Sequence, residues 1–115
     1  MEIVNRDTFL SLPMNTLFSK YDPIGNFGEL EIKVNDPGIW EPDFVSLQIN
    51  SGWPLGCGSS HEFVDIMQRC EKGQEFKWDY ETAGRDGHYD KGQLFAVYDQ
   101  EDIERLINLL KTLQK

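Results

Sequence analysis

Four groups of residues in this chain have the types and spacing for chemistry. The segment 52–62 (Gly-Trp-Pro-Leu-Gly-Cys-Gly-Ser-Ser-His-Glu) sets glycines ahead of a helix start. Backbone N–H groups at a helix N-terminus suit an anion, and the helix dipole favours negative charge there. Ser59 and Ser60 add hydroxyl donors, and Trp53 adds a ring that stacks on a base or sugar. This predicts a phosphate- or nucleotide-binding lip. It is not a P-loop, because no Gly-Lys-[Ser/Thr] follows. The competing reading is a flexible entry to a capped helix, with the serines used as caps.

The segment 83–93 (Ala-Gly-Arg-Asp-Gly-His-Tyr-Asp-Lys-Gly-Gln) is long for a hairpin connection. Arg85 can grip a phosphate or carboxylate with its fork of donors, flanked by His88 and Tyr89. Asp86, His88 and Asp90 alternate like a metal loop only loosely, since Lys91 and Val97 stand where a calcium loop needs Gly and Glu. No metal or other cofactor is expected. The competing reading is a solvated turn. Ser19-Lys20-Tyr21 ends a strand, where Lys20 and Tyr21 can meet a polar ligand at a sheet rim or pair with Glu29 or Glu31. Cys57 with His61 or His88 is the minimum for a nucleophilic pair, but no hydrolase signature surrounds them. No catalytic residue is assigned.

Three helices must carry or flank these groups. Asn5 caps the first, with Val4 and Phe9 at staple positions, and Pro13 stops it. Ser59 and Glu62 open the second as a capping box ahead of Phe63, Ile66, Met67 and Cys70. Asp99 opens the third, whose stripe of Ile103, Leu106, Ile107, Leu110 and Leu113 is expected to be buried. Between them the period is two. Leu30, Ile32 and Val34 alternate with charged residues, as do Val45, Leu47 and Ile49 with Phe44, Ser46 and Gln48, and Phe76, Trp78 and Tyr80 with Lys77, Asp79 and Glu81. Each apolar set is expected to face inward. A weaker strand runs from Leu17 to Tyr21, and 94–98 reads as a central strand, apolar on both faces. The order α-β-β-β-α-β-β-α predicts one α+β domain over 1–115. Its antiparallel sheet has about five strands, with helices on one face.

Composition narrows the function classes. The 115 residues carry 20 acids against 11 Lys and Arg, a formal charge of −9. That balance disfavours nucleic acid as a partner, because phosphate binding rests on basic side chains. No apolar run is long enough to span a membrane, and the opening residues lack a signal-peptide pattern. Two cysteines do not make a disulfide scaffold, so reduced thiols and a cytoplasmic location are expected. A DNA-mimicking row of carboxylates is a minority reading, weakened by the interleaved Lys33 and Lys77.

The stretches Asn5-Arg-Asp-Thr-Phe-Leu-Ser-Leu-Pro, Thr16-Leu-Phe-Ser-Lys-Tyr, Phe27-Gly-Glu-Leu-Glu-Ile-Lys and Gln93-Leu-Phe-Ala-Val-Tyr-Asp cover much of the chain. With Arg85-Asp-Gly-His-Tyr-Asp and Glu101-Asp-Ile-Glu, they resemble small proteins encoded by tailed bacteriophages and prophages. The resemblance implies a non-enzymatic role in the host bacterial cytoplasm, against antiviral defence. One form is a homo-oligomeric sponge that holds a small anionic, nucleotide-type signal. Lys20, Tyr21, Trp53, Ser59, Ser60, Arg85 and Tyr89 supply the residue types such a ligand site needs. The alternative is direct inhibition of a host defence protein through an acidic, aromatic-edged surface. A signal-degrading hydrolase is the third class.

Overall fold

A computed structural model describes residues 1–115. It is α+β: an antiparallel sheet with three helices. The elements run β1 (Glu2–Val4), α1 (Arg6–Leu10), β2 (Thr16–Asp22), β3 (Asn26–Phe27), β4 (Glu31–Lys33), β5 (Val45–Gln48), β6 (Trp53–Pro54), α2 (Ser60–Glu71), β7 (Trp78–Asp79), β8 (Thr82–Arg85), β9 (Leu94–Val97) and α3 (Gln100–Lys111). The main sheet has the order β1-β9-β2-β4-β5-β8, with β3 folded back on β2, while β6 and β7 form a separate ribbon. β2, the weakest strand in sequence, is the hub that pairs with β9, β4 and β3. β9 lies between β1 and β2 with Phe95 and Ala96 fully buried, which matches its two-sided apolar pattern.

The helix starts follow their capping residues. The side chain of Asn5 accepts from the Thr8 N–H at 2.9 Å, and Asp99 and Asp102 close a reciprocal capping box. Val4 packs against the core that contains Phe9, as the staple predicts. At α2, Ser59 accepts from the Glu62 N–H, but the Glu62 carboxylate reaches Gly58 N–H rather than Ser59. No helix is long and apolar enough to cross a membrane.

The core is small and aromatic. Phe9 of α1 stacks parallel on Phe95 at 4.0 Å and meets Phe18 and Phe44 edge-on at 4.6 and 4.9 Å. Leu10 completes this cluster, and α1 alone among the helices contributes buried residues. The sheet face that meets it corrects the expected inward faces of two strands. Phe18, Glu31 and Gln48 lie directly opposite one another across β2, β4 and β5, so they share one face. Glu31, Lys33, Phe44 and Ser46 are therefore buried on the core side, while Ile32, Val34, Val45, Leu47 and Ile49 are half-buried. Because side chains alternate strictly, turning Phe44 toward Phe9 obliges Val45 and Leu47 to face the other way.

Lys33 tolerates this because its ammonium donates to the carbonyls of Leu12 at 2.6 Å and Asn35 at 2.9 Å, 5.9 Å from the Phe9 ring. Burial pulls its pKa below the usual lysine value, opposed by the charges of Asp36 and Glu41. The strand expected through Phe76, Trp78 and Tyr80 shrinks to two residues, with Phe76 and Tyr80 exposed. The α3 stripe is also not buried as expected: Ile103 and Leu106 are half-buried, and Ile107, Leu110 and Leu113 are exposed.

Candidate functional site

Two buried aspartates organise the charged side chains at the end of β8. Asp86 follows β8 with a side chain only 1 % exposed, and it joins Lys20 of β2 at 2.5 Å to Arg6 of α1 at 3.4 Å. Arg6 is held further by the Pro42 carbonyl at 2.9 Å and lies over the Phe44 ring. Burial pushes the Asp86 carboxyl upward, but the Lys20 hydrogen bond and charge, the His88 N–H and the Arg6 charge outweigh it, leaving the pKa below 3.8. Asp43, fully buried, accepts from Phe44 N–H at 2.8 Å, Gly87 N–H at 3.0 Å and Arg85 Nε at 3.0 Å. Those bonds likewise overcome burial and hold its carboxyl below the ordinary value.

Beside these pairs lies a cavity of about 470 Å³, lined among others by Lys20, Glu31, Gln48, His88 and Gln93. It adjoins one of about 460 Å³ lined by Arg6, Lys20, Asp86, His88, Asp90 and Gln93. Glu31 is 6 % exposed, and its side chain accepts one hydrogen bond, from Ser46 Oγ at 2.8 Å. Burial raises its carboxyl, with the Ser46 bond and the Lys20 charge opposing. Lys20 and Arg6 are both bound to Asp86, and Asp22, Glu29 and Asp90 add negative charge around them. This basin favours neutral or cationic groups over anions. Glu31→Gln removes the cost of a buried charge and keeps an acceptor for Ser46. It is expected to raise the urea midpoint at pH 7 by the equivalent of about 1 kcal/mol. Equal or lower stability in a urea melt would count against the assignment.

Arg85 occupies the other face of the sheet. It pairs with Val45 in register, so its side chain emerges opposite Asp86 and Lys20. Nε binds Asp43, one terminal nitrogen donates to the Tyr89 hydroxyl at 3.0 Å, and the guanidinium lies 4.9 Å from the centre of the Trp40 ring. The side chain remains 51 % exposed, as does Trp40, and Tyr89 is 47 % exposed. Trp40 at φ 72° and Tyr89 at φ 54° both lie in the left-handed region. Bulky side chains are disfavoured there by about 1–3 kcal/mol, and such outliers gather at ligand clamps and switch regions. Arg85 thus joins Trp40 and Tyr89 into one cluster on the surface, tied to the core through Asp43.

The residues expected to share one ligand site are dispersed. Arg85 and Tyr89 touch, but Tyr21 is separated from β8 by β4 and β5, and its hydroxyl accepts from Gly25 N–H. Trp53 lies at the far end of β8, where its N–H meets Thr82 Oγ1 at 3.3 Å and its ring meets Phe63 edge-on. Gly52 permits that approach, because a Cβ there would lie 2.6 Å from the Thr82 hydroxyl oxygen. Ser59 is used as the α2 cap and Ser60 is an exposed first-turn residue. The Glu62 carboxylate, on Gly58 N–H at 2.8 Å, already supplies negative charge where the lip was to receive an anion. Cys57 Sγ donates to the Ser59 carbonyl.

Sequence reasoning missed Asp43, did not assign Trp40 to the site, and took Glu31 as a rim partner for Lys20 rather than as a buried acid bonded to Ser46. Asp43 had one signal, an acid directly before the core Phe44. The contact that gives it meaning is 42 residues away at Arg85. The chain matches no protein family, no curated protein and no solved structure.

Proposed function

We propose that this chain is a non-enzymatic binding protein that docks on a basic protein surface through Trp40, Arg85 and Tyr89. The observation that carries the reading is the exposed, prearranged Trp–Arg–Tyr cluster held by the buried Asp43. These three residue types dominate the affinity of protein interfaces, because they combine large apolar area with polar tips and lose little freedom when already fixed. The exposed acids Glu41 and Asp90 flank the cluster in sequence, and the −9 charge steers the chain toward a basic partner. The resemblance to phage-encoded proteins makes a host defence protein the natural target.

A second reading keeps the small anionic ligand, with Arg85 as its grip. Arg85 is half-exposed and spends only part of its donor set on Asp43 and Tyr89. Lys20, Trp53, Ser59 and Ser60 do not join it there.

Affinity capture from bacterial lysate at low and high salt, with wild type and Trp40→Ala, separates the two. Trp40→Ala leaves every partner of Asp43 in place, which Arg85→Ala does not. It is expected to weaken the captured partner by about 2 kcal/mol, roughly 30-fold in Kd. High salt should slow association. Capture that is indifferent to Trp40→Ala overturns the docking reading. A rise in melting temperature with cyclic nucleotides that Arg85→Ala abolishes would establish the second reading instead.

A further inference from the structure

α3 lacks a packing partner that its sequence requires. Ile103, Leu106 and Leu110 recur at spacings of three and four, the seam of a two-helix coil, and Leu113 carries the pattern on just past the Thr112 cap. Ile107 and Leu109 widen the stripe on either side. Only the base of this stripe touches the domain. Leu109, Leu110 and Leu113 are 63 %, 61 % and 70 % exposed, neighbouring apolar side chains on one short stretch of chain. The radius of gyration, 16.1 Å, exceeds the roughly 13 Å of a compact domain of this length. Alongside the helix runs an apolar groove of about 350 Å³ lined by Met1, Tyr98, Leu106 and Leu109, with Asp102 and Arg105 at its edge.

We propose that this face is closed by α3 of a second copy of the chain, running antiparallel. Charge selects that occupant. The first turns of α3 carry Glu101, Asp102 and Glu104, and its end carries Lys111 followed by Lys115. Two such helices laid antiparallel place each acidic start beside the other's basic end, and their dipoles also oppose favourably. A parallel pair sets like charges together. The geometry is self-complementary, so it closes as a two-fold dimer rather than growing into a filament. This surface is separate from the Trp40–Arg85–Tyr89 cluster, so the dimer presents two copies of that cluster.

Light scattering on the intact chain tests the proposal. The wild type is expected at twice the 13.3 kDa chain mass at micromolar concentration. Leu110→Glu and, separately, Leu113→Glu are expected to halve that mass while keeping the wild-type circular dichroism spectrum, since both positions are exposed in the single chain. A Lys111→Glu, Lys115→Glu variant and a Glu101→Lys, Glu104→Lys variant should each associate at least tenfold more weakly alone, yet pair with each other when mixed. A wild type that stays at single-chain mass, or a dimer that both glutamate substitutions leave intact, overturns the proposal. Failure of the charge-swapped variants to pair overturns the antiparallel arrangement.

Discussion

Asp86→Ala is expected to destabilise the fold by about 3–5 kcal/mol, a large share of the 5–15 kcal/mol typical of a domain. The reason is what the substitution leaves behind. Arg6, with a side chain 5 % exposed, loses its only ionic partner and stays buried against the Phe44 ring, and Lys20 loses its carboxylate as well. A hydrophobic replacement of the whole triad would be far milder than removal of its centre, because no charge would then be stranded. Asp86→Asn keeps the shape and part of the hydrogen bonding, so its cost should be intermediate. Urea melts at pH 7 check the order.

The same carboxylate sets the response to acid. Its pKa is lower when folded than the ordinary 3.8, as is that of Asp43, so both contribute stability above that value. The contribution is lost as pH falls through the depressed folded values. Glu31 has the opposite sign: its raised carboxyl adds stability below its unfolded pKa and loses it as pH rises through the folded one. Wild type should therefore weaken on acidification below about pH 4, and Asp86→Ala should weaken less steeply. An equal acid slope in both proteins would show that Asp86 is not held ionised by Lys20 and Arg6.

Phe9→Ala is expected to cost a similar 3–5 kcal/mol and to release α1 from the sheet. α1 has five residues, too short to persist without tertiary contacts. Its docking rests on the ring of Phe9 between Phe95, Phe18 and Phe44. With so small an aromatic core, neighbouring rings have little means of closing the cavity. Arg6 sits on the same helix, so Phe9→Ala and Asp86→Ala should be strongly non-additive: once α1 has left, Arg6 is no longer buried. A loss below 1.5 kcal/mol, or simple additivity of the pair, would show that α1 is held by other means.

Local signals were legible wherever the cause is local. Asn5, Ser59 and Asp99 begin helices because their side chains satisfy N–H groups three residues on. The apolar run 94–98 sits inside the sheet because neither of its faces suits water. The segment 83–93 was different. Thr82–Arg85 pairs with β5 although its alternation is blurred by Ala83 and Gly84, so strand character there comes from the partner strand.

The sequence alone determined an α+β chain, its helix starts, its β2–β4–β5 strand material and the amphipathic stripe of α3. It could not determine which side of β4 and β5 would meet the core, because alternation defines two faces without ranking them. Phe18, Phe44 and Phe95 ranked them by gathering around Phe9, which drew Glu31, Lys33 and Ser46 inward with them. Nor could it show that the cations expected to hold an anion were taken, since Arg6 and Asp86 lie 80 residues apart and Arg85 and Asp43 lie 42 apart. Only the folded sheet brings those charges within reach, and an ion pair between distant residues leaves no local pattern to read.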